Sequence, residues 1–183
     1  MAEQSILYTE RLILRQPELS DLPVIQRLVG EREIARMTLS IPHPYPEGAA
    51  EAWITHAHEQ IADGLLASFG IVRREDGVYM GTVGLRLDPE HHAAEIGYWV
   101  GKPYWNQGYT SEAARRVIQY GFEERGLHRI AASYFTHNPA SARVMQKLGM
   151  QFEGILRQHV VKWGEFTDLG YYSILASEYE ATR

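Results

Sequence analysis

Three groups of residues in this chain have the types and spacing that chemistry needs. The first is a lone carboxylate, Glu95, opening the run Glu95-Ile-Gly-Tyr-Trp-Val100. The second is the turn that follows, Tyr104-Trp-Asn-Gln-Gly-Tyr-Thr-Ser111. A glycine-bearing turn at a helix start leaves several backbone N–H groups aimed at one point, and phosphate oxygens suit them. Here the N–H groups of Gln107, Gly108, Tyr109, Thr110 and Ser111 can converge, with the helix dipole behind them. The hydroxyls of Thr110 and Ser111 add donors. The third group is Asn138 with Ser141, at the start of the next helix. Each group has a plainer reading beside it. The turn is also what an ordinary capped helix needs, Asn138 suits an N-cap, Ser141 suits a first helical turn, and Glu95 suits a solvated strand face.

The elements around them follow from periodicity. Glu95, Gly97 and Trp99 share one face of a strand, and Ile96, Tyr98 and Val100 share the other. An inward carboxylate is costly unless it is hydrated or used. Arg11–Arg15, Ser68–Arg73 and Val78–Leu87 read as strands, with Glu75-Asp-Gly77 as a hairpin turn, so the strands from Ser68 to Val100 form an antiparallel meander. Ser20 reads as the cap of a helix carrying Leu22, Ile25, Leu28 and Val29. Prolines in Ile41-Pro-His-Pro-Tyr-Pro46 forbid regular structure, and a helix from about Glu47 to Ala62 follows. Thr110–Glu124 has helical spacing and Arg129–Tyr134 reads as a strand, which makes a strand–helix–strand unit and a parallel pair. Asn138-Pro139 opens a helix that Gly149 stops; Phe152–Lys162 and Leu169–Leu175 close the chain as strands around a turn at Trp163–Asp168. With ligands bound beyond the C-terminal ends of parallel strands, both helix starts should face one cleft.

Composition narrows the class. The chain has 183 residues, 45% hydrophobic and 22% charged, which suits one domain with a sizeable core. A net charge of −5 argues against nucleic acid as the main ligand. There is no cysteine, which removes disulfides, thiolate metal sites and a cysteine nucleophile. His56 and His58 do not share a helix face, and His91 and His92 lack a third ligand, so no metal is expected. No basic segment leads into a long apolar run, and none is long enough to span a bilayer; a cytoplasmic protein away from membranes is the expectation. The turn is neither a P-loop nor a dinucleotide fingerprint.

Taken together, Ala94-Glu-Ile-Gly-Tyr-Trp-Val100, Tyr104–Ala113 and Asn138-Pro-Ala-Ser-Ala-Arg-Val-Met-Gln-Lys-Leu-Gly149 resemble the GNAT superfamily of N-acetyltransferases. Thr9-Glu-Arg-Leu-Ile-Leu-Arg15 and Phe152-Glu-Gly-Ile-Leu-Arg157 resemble its RimJ/RimL branch. The resemblance implies an α/β (α+β) fold: a single GNAT-like domain spanning residues 1–183, with its core at about 9–176. Its sheet is mixed and mostly antiparallel, with a splayed strand pair. It implies acetyl-CoA as donor, with the Gln107–Ser111 turn on the pyrophosphate; Thr110 stands where the family has glycine or alanine. It also implies Trp99 and Val100 as backbone partners of the cofactor and Asn138 as a side-chain partner. Glu95 is then the general base toward a primary amine, the Val100 N–H a donor to developing negative charge, and Ser141 a donor to the leaving thiolate. Direct transfer in a ternary complex follows from the missing cysteine. Tyr45, Trp53 and Trp163 are the acceptor-site candidates, with core packing the plainer reading for Trp53. The branch implies the α-amine of a protein, ribosomal in type; alternatives are a small amine such as a polyamine or aminoglycoside, or a non-catalytic acyl-CoA sensor. A homodimer is compatible with either.

Overall fold

Short turns set the order of the sheet. Gly77, at φ 72°, closes the tight turn that joins β3 (Leu66–Arg73) to β4 (Tyr79–Asp88), and a polar turn joins β4 to β5 (Ala93–Val100). The three pair antiparallel, as the meander requires. The computed structural model describes residues 5–181; the ends of the 1–183 domain assignment lie outside them. β2 (Leu12–Arg15) extends the meander on one side and β1 (Leu7–Tyr8) flanks it. α4 (Tyr109–Glu123) then crosses to β6 (Arg129–Phe135), which runs parallel to β5. After α5 (Pro139–Lys147), the hairpin of β7 (Gln151–Lys162) and β8 (Glu165–Leu175) completes one sheet in the order β1-β2-β3-β4-β5-β6-β8-β7. Among the described residues only β5–β6 is parallel, so the sheet is mixed and mostly antiparallel, in a single α/β domain.

The two faces carry different helices. On one face, Ala113, Ala114, Val117 and Ile118 of α4 pack into the larger core with Phe69, Leu85, Ile96 and Ile130. On the other, α1 (Leu22–Val29) and α3 (Ala49–Ala62) bury Ile25, Val29, Ala50 and Ile54 against Val72 and Tyr79. Trp53 and Trp99 are half-buried against this second cluster, so Trp53 packs where its plainer reading placed it.

Four local features differ from the expectations. Ser20 does not cap α1: it lies in a short 3-10 turn, Leu19–Asp21, whose box is closed by Glu18 and Asp21. Asp21 is buried, and both terminal nitrogens of Arg15 donate to it at 2.8 Å, which compensates the buried charge. A six-residue α2 (Arg32–Met37) follows α1, too short for periodicity to reveal. A last short helix, α6 (Ala176–Ala181), extends beyond β8. The final turn is only Trp163-Gly164, at φ 52° and 83°, because Glu165 already pairs with Lys162. That is the primed hairpin geometry, and Trp163 occupies a position that usually holds asparagine or aspartate.

β4 and β5 approach closely where the site begins. A Cβ on Gly81 would lie 2.2 Å from the Trp99 carbonyl oxygen and 2.8 Å from the Val100 Cα, both backbone atoms of the neighbouring strand. Gly81→Ala therefore forces the strands apart, with an expected loss of about 1–3 kcal/mol. Denaturant unfolding measures it, and an unchanged midpoint would refute the close approach.

Candidate active site

The site begins where two strands stop pairing. β5 and β6 are bonded only at Ala93–Arg129, Ala94–Ile130 and Glu95–Ala131. Beyond that, β5 stays with β4 as far as Val100 opposite Gly81, and β6 stays with β8 as far as Phe135 opposite Leu169. The strands part, and a cleft of about 930 Å³ runs from the starts of α4 and α5 through the gap to the face beneath α1–α3.

The phase of the β4–β5 ladder decides which backbone groups meet the gap. The Gly101 N–H donates to the Met80 carbonyl at 2.8 Å, and Trp99 lies opposite Thr82 in the same register. Antiparallel pairs alternate, so the N–H and C=O of Trp99 point at β4, while those of Tyr98 and Val100 point into the gap. This corrects the assignment of Trp99 as a backbone partner: what Trp99 brings to the cleft is its ring. The Val100 carbonyl is taken by Trp105 Nε1 at 2.6 Å, which ties the following turn back to the strand.

The turn itself is held by the chain's first strands. Gly108, at φ 83°, is the N-cap of α4, and its left-handed backbone favours glycine. The Glu112 carboxylate, in the first turn of α4, accepts from Thr9 Oγ1 at 2.6 Å and from Arg11 N and Nε at 3.0 and 2.7 Å. Arg11 also donates to the Gln107 carbonyl at 3.1 Å and lies 4.5 Å above the Tyr109 ring. The Thr9–Arg11 corner thus clips β1–β2 to the turn. Gln107 and Tyr109 are correspondingly occupied: Gln107 Nε2 donates to the Pro103 carbonyl and Tyr109 is buried. Their side chains do not line the cleft, whereas Gly108, Thr110 and Ser111 do.

On the α5 side, Asn138 is the N-cap: its Oδ1 accepts from the Ser141 N–H at 3.2 Å, a bond that leaves its NH2 group as a donor. Ser141 Oγ lies 2.9 Å from the Tyr98 hydroxyl, and both residues line the cleft. Burial pushes the Tyr98 phenol up to about 12, with the Ser141 bond working against that shift, so Tyr98 stays protonated at neutral pH. Tyr98 is a site residue that sequence reasoning missed. Strand alternation puts it opposite Glu95, and only the parting of the strands opens its face to the cleft.

Glu95 faces the other end of the cleft, about one-third exposed. It is not enclosed by apolar groups. Arg86, directly opposite on β4, pairs with one carboxylate oxygen, and Ser133 Oγ on β6 donates to the other at 2.8 Å. Arg86 was legible in principle, because the β4–β5 turn fixes the register; Ser133 was not. Tyr45 and Trp53 line the cleft above this face. Trp163 does not. It sits near His43, at 6.4 Å between ring centroids, on the hairpin whose Lys162 donates to the carbonyls of Leu39 and Ile41. Trp163 therefore lies beside the Pro-rich loop and does not line the cleft.

The donor set fits a large anion on a narrow apolar tether. Two helix starts bring Gly108, Thr110, Ser111 and Asn138 to one rim, Arg143 and Lys147 add positive charge along α5, and the gap offers strand backbone for an extended chain to pair with.

Comparisons with known proteins agree with this geometry. Residues 11–151 match the acetyltransferase (GNAT) domain family. The N-acetyltransferase YoaA of Bacillus subtilis (strain 168) is 37% identical over 172 residues, 93% of this chain and 96% of the relative. The [ribosomal protein uS5]-alanine N-acetyltransferase of Escherichia coli (strain K12) is 28% identical over 130 residues, 69% of this chain and 66% of the relative. Among solved structures, RimL, a ribosomal L7/L12 α-N-protein acetyltransferase in complex with coenzyme A, superposes with a TM-score of 0.86 at 18% identity, covering 93% of this chain and 98% of that one. The spermidine N-acetyltransferase of Vibrio cholerae superposes with a TM-score of 0.81 at 23% identity, covering 94% and 99%. At those identities the two structures speak for the fold alone.

The Glu112 clip makes a pH prediction. Burial pushes its carboxyl up, but the bonds from Thr9 and Arg11 outweigh this and hold it below its ordinary 4.5. A lowered folded value means stability that is present above pH 4.5 and lost as pH falls through the folded value. Glu112→Gln should cost about 1–2 kcal/mol at pH 7, and the gap to the wild type should shrink in acid. Thermal melts at pH 7 and in mild acid check it; a gap independent of pH would refute the clip.

Proposed function

Because the chain belongs to the GNAT acetyltransferase family, we propose that it acetylates the α-amine of a peptide or protein by direct transfer, with donor and acceptor bound together. The chain is an N-acetyltransferase, and acetyl-CoA is its donor. When bound, acetyl-CoA supplies an activated acetyl thioester. The observation that carries the finer reading is the opposition, along one cleft, of an ion-paired carboxylate and a hydroxyl pair.

On the acceptor side, a primary amine arrives mostly protonated. Glu95 attracts the ammonium, and Arg86 and Ser133 fix the direction of its carboxylate. As the ammonium competes with Arg86 for that carboxylate, Glu95 becomes the proton acceptor, directly or through water. On the donor side, the gap-facing Val100 N–H is positioned to stabilise developing negative charge. The Tyr98–Ser141 pair holds a proton at Ser141 Oγ on that side of the gap. Support for a peptide α-amine comes from the relative that acetylates the alanine of ribosomal protein uS5.

Thiol release from acetyl-CoA against a panel of peptides, polyamines and aminoglycosides tests the reading. Glu95→Gln should lower kcat about 100-fold or more with the best acceptor. Ser141→Ala should cost about tenfold, because a thiolate leaves with less help than an ammonium needs to become a nucleophile. Equal or reversed losses would remove Glu95 as the proton acceptor.

A further inference from the structure

We infer that the body of the acceptor lies in a trough across the sheet face beneath α1–α3, shaped for a singly charged amine on a compact apolar group and not for a polyamine. This rests on the acetyl-transfer reading above and names the class of acceptor for that same site.

The trough is built by register. Ser68, Gly84 and Gly97 stand opposite one another across β3, β4 and β5, so three adjacent strands present small residues in one row. A Cβ added at Gly97 would meet nothing within 4 Å, so the space above that position is open. The neighbouring rows close both ends. Trp99, beside Thr82, forms one wall, and Glu95, paired with Arg86, forms the other. Trp99 lies four residue steps along the strand from Glu95, a span of roughly 13 Å at strand rise. Ile25 and Val29 of α1 and Trp53 of α3 roof it.

Its charge content selects the ligand. Among the described residues along the cleft, Glu95 is the one carboxylate, and Arg86 already pairs with it. A single ammonium finds Glu95 at the trough's end while its apolar body lies over Gly97 against Trp99 and Trp53. A second ammonium further along would lose its hydration without gaining a carboxylate, and near Arg86 it would meet a like charge. Gly97 is therefore the position at which acceptor size is read.

The test uses the full chain with saturating acetyl-CoA and three probes: 2-phenylethylamine, the amide of the tripeptide Phe-Ala-Ala, and spermidine. The expected result is a kcat/KM at least about tenfold higher for the two apolar monoamines than for spermidine. Gly97→Leu, whose side chain enters the open space, should lower kcat/KM for both monoamines at least about tenfold, with acetyl-CoA affinity by calorimetry and the melting temperature unchanged. A preference for spermidine, no binding of either monoamine, or a Gly97→Leu protein as active on them as the wild type would overturn the trough and leave the acetyl-transfer reading standing. Failure of the wild type to bind acetyl-CoA would overturn that reading, and the trough with it.

Discussion

Everything at the site depends on β5 and β6 parting after Glu95 and Ala131. A sheet normally satisfies each strand on both sides. Here two strands keep their outer neighbours and release one another, so gap-facing backbone on β5 becomes available for binding. The same opening joins the two faces of the sheet. Groups that strand alternation would keep apart, Glu95 on one face and Tyr98 on the other, therefore reach one cleft. Donor and acceptor can then approach a common point from opposite sides.

The rest of the molecule keeps that opening in shape. On the donor side, Glu112 gathers bonds from Thr9 and Arg11, and Arg11 reaches on to the turn carbonyl of Gln107. The left-handed glycine and the helix start are thereby tied to the first strands. Trp105 ties the same turn to the end of β5. At the other end, Lys162 donates to the carbonyls of Leu39 and Ile41, and Trp163 lies beside His43, so the last hairpin holds the entry to the Pro-rich loop. Burial lowers the affinity of Lys162 for its proton, the ordinary effect of removing an ammonium from water.

Two polar clusters lie along the cleft. The Tyr98–Ser141 pair is sheltered, and its phenol keeps its proton. The Arg86–Glu95–Ser133 cluster is open to water and already ionic. An exposed ion pair is weak enough for an arriving ammonium to exchange with one partner, which a fully buried pair would resist. The cause is a register: the turn after Asp88 places Arg86 directly across from Glu95.

Local sequence determined the elements and their chemistry. The Glu75–Gly77 turn, the helix stripe of α4, the Asn138-Pro139 start of α5 and the meander from β3 to β5 each depend on a few adjacent residues, so turn and cap chemistry suffices to find them. The same local signals put Glu95 on β5, Gly108, Thr110 and Ser111 at the start of α4, and Asn138 and Ser141 at the start of α5, and all six line the cleft. Short pieces, such as α2 and the two-residue turn at Trp163-Gly164, left too little pattern to read. Tertiary structure alone decided which side chains and backbone groups meet. The phase of the β4–β5 ladder turned the backbone of Trp99 away from the gap, the parting of β5 and β6 brought Tyr98 in, and β6 carried Ser133 to Glu95. Those outcomes rest on hydrogen-bond register between strands distant in sequence, and a one-residue change of register would invert them without altering any local propensity.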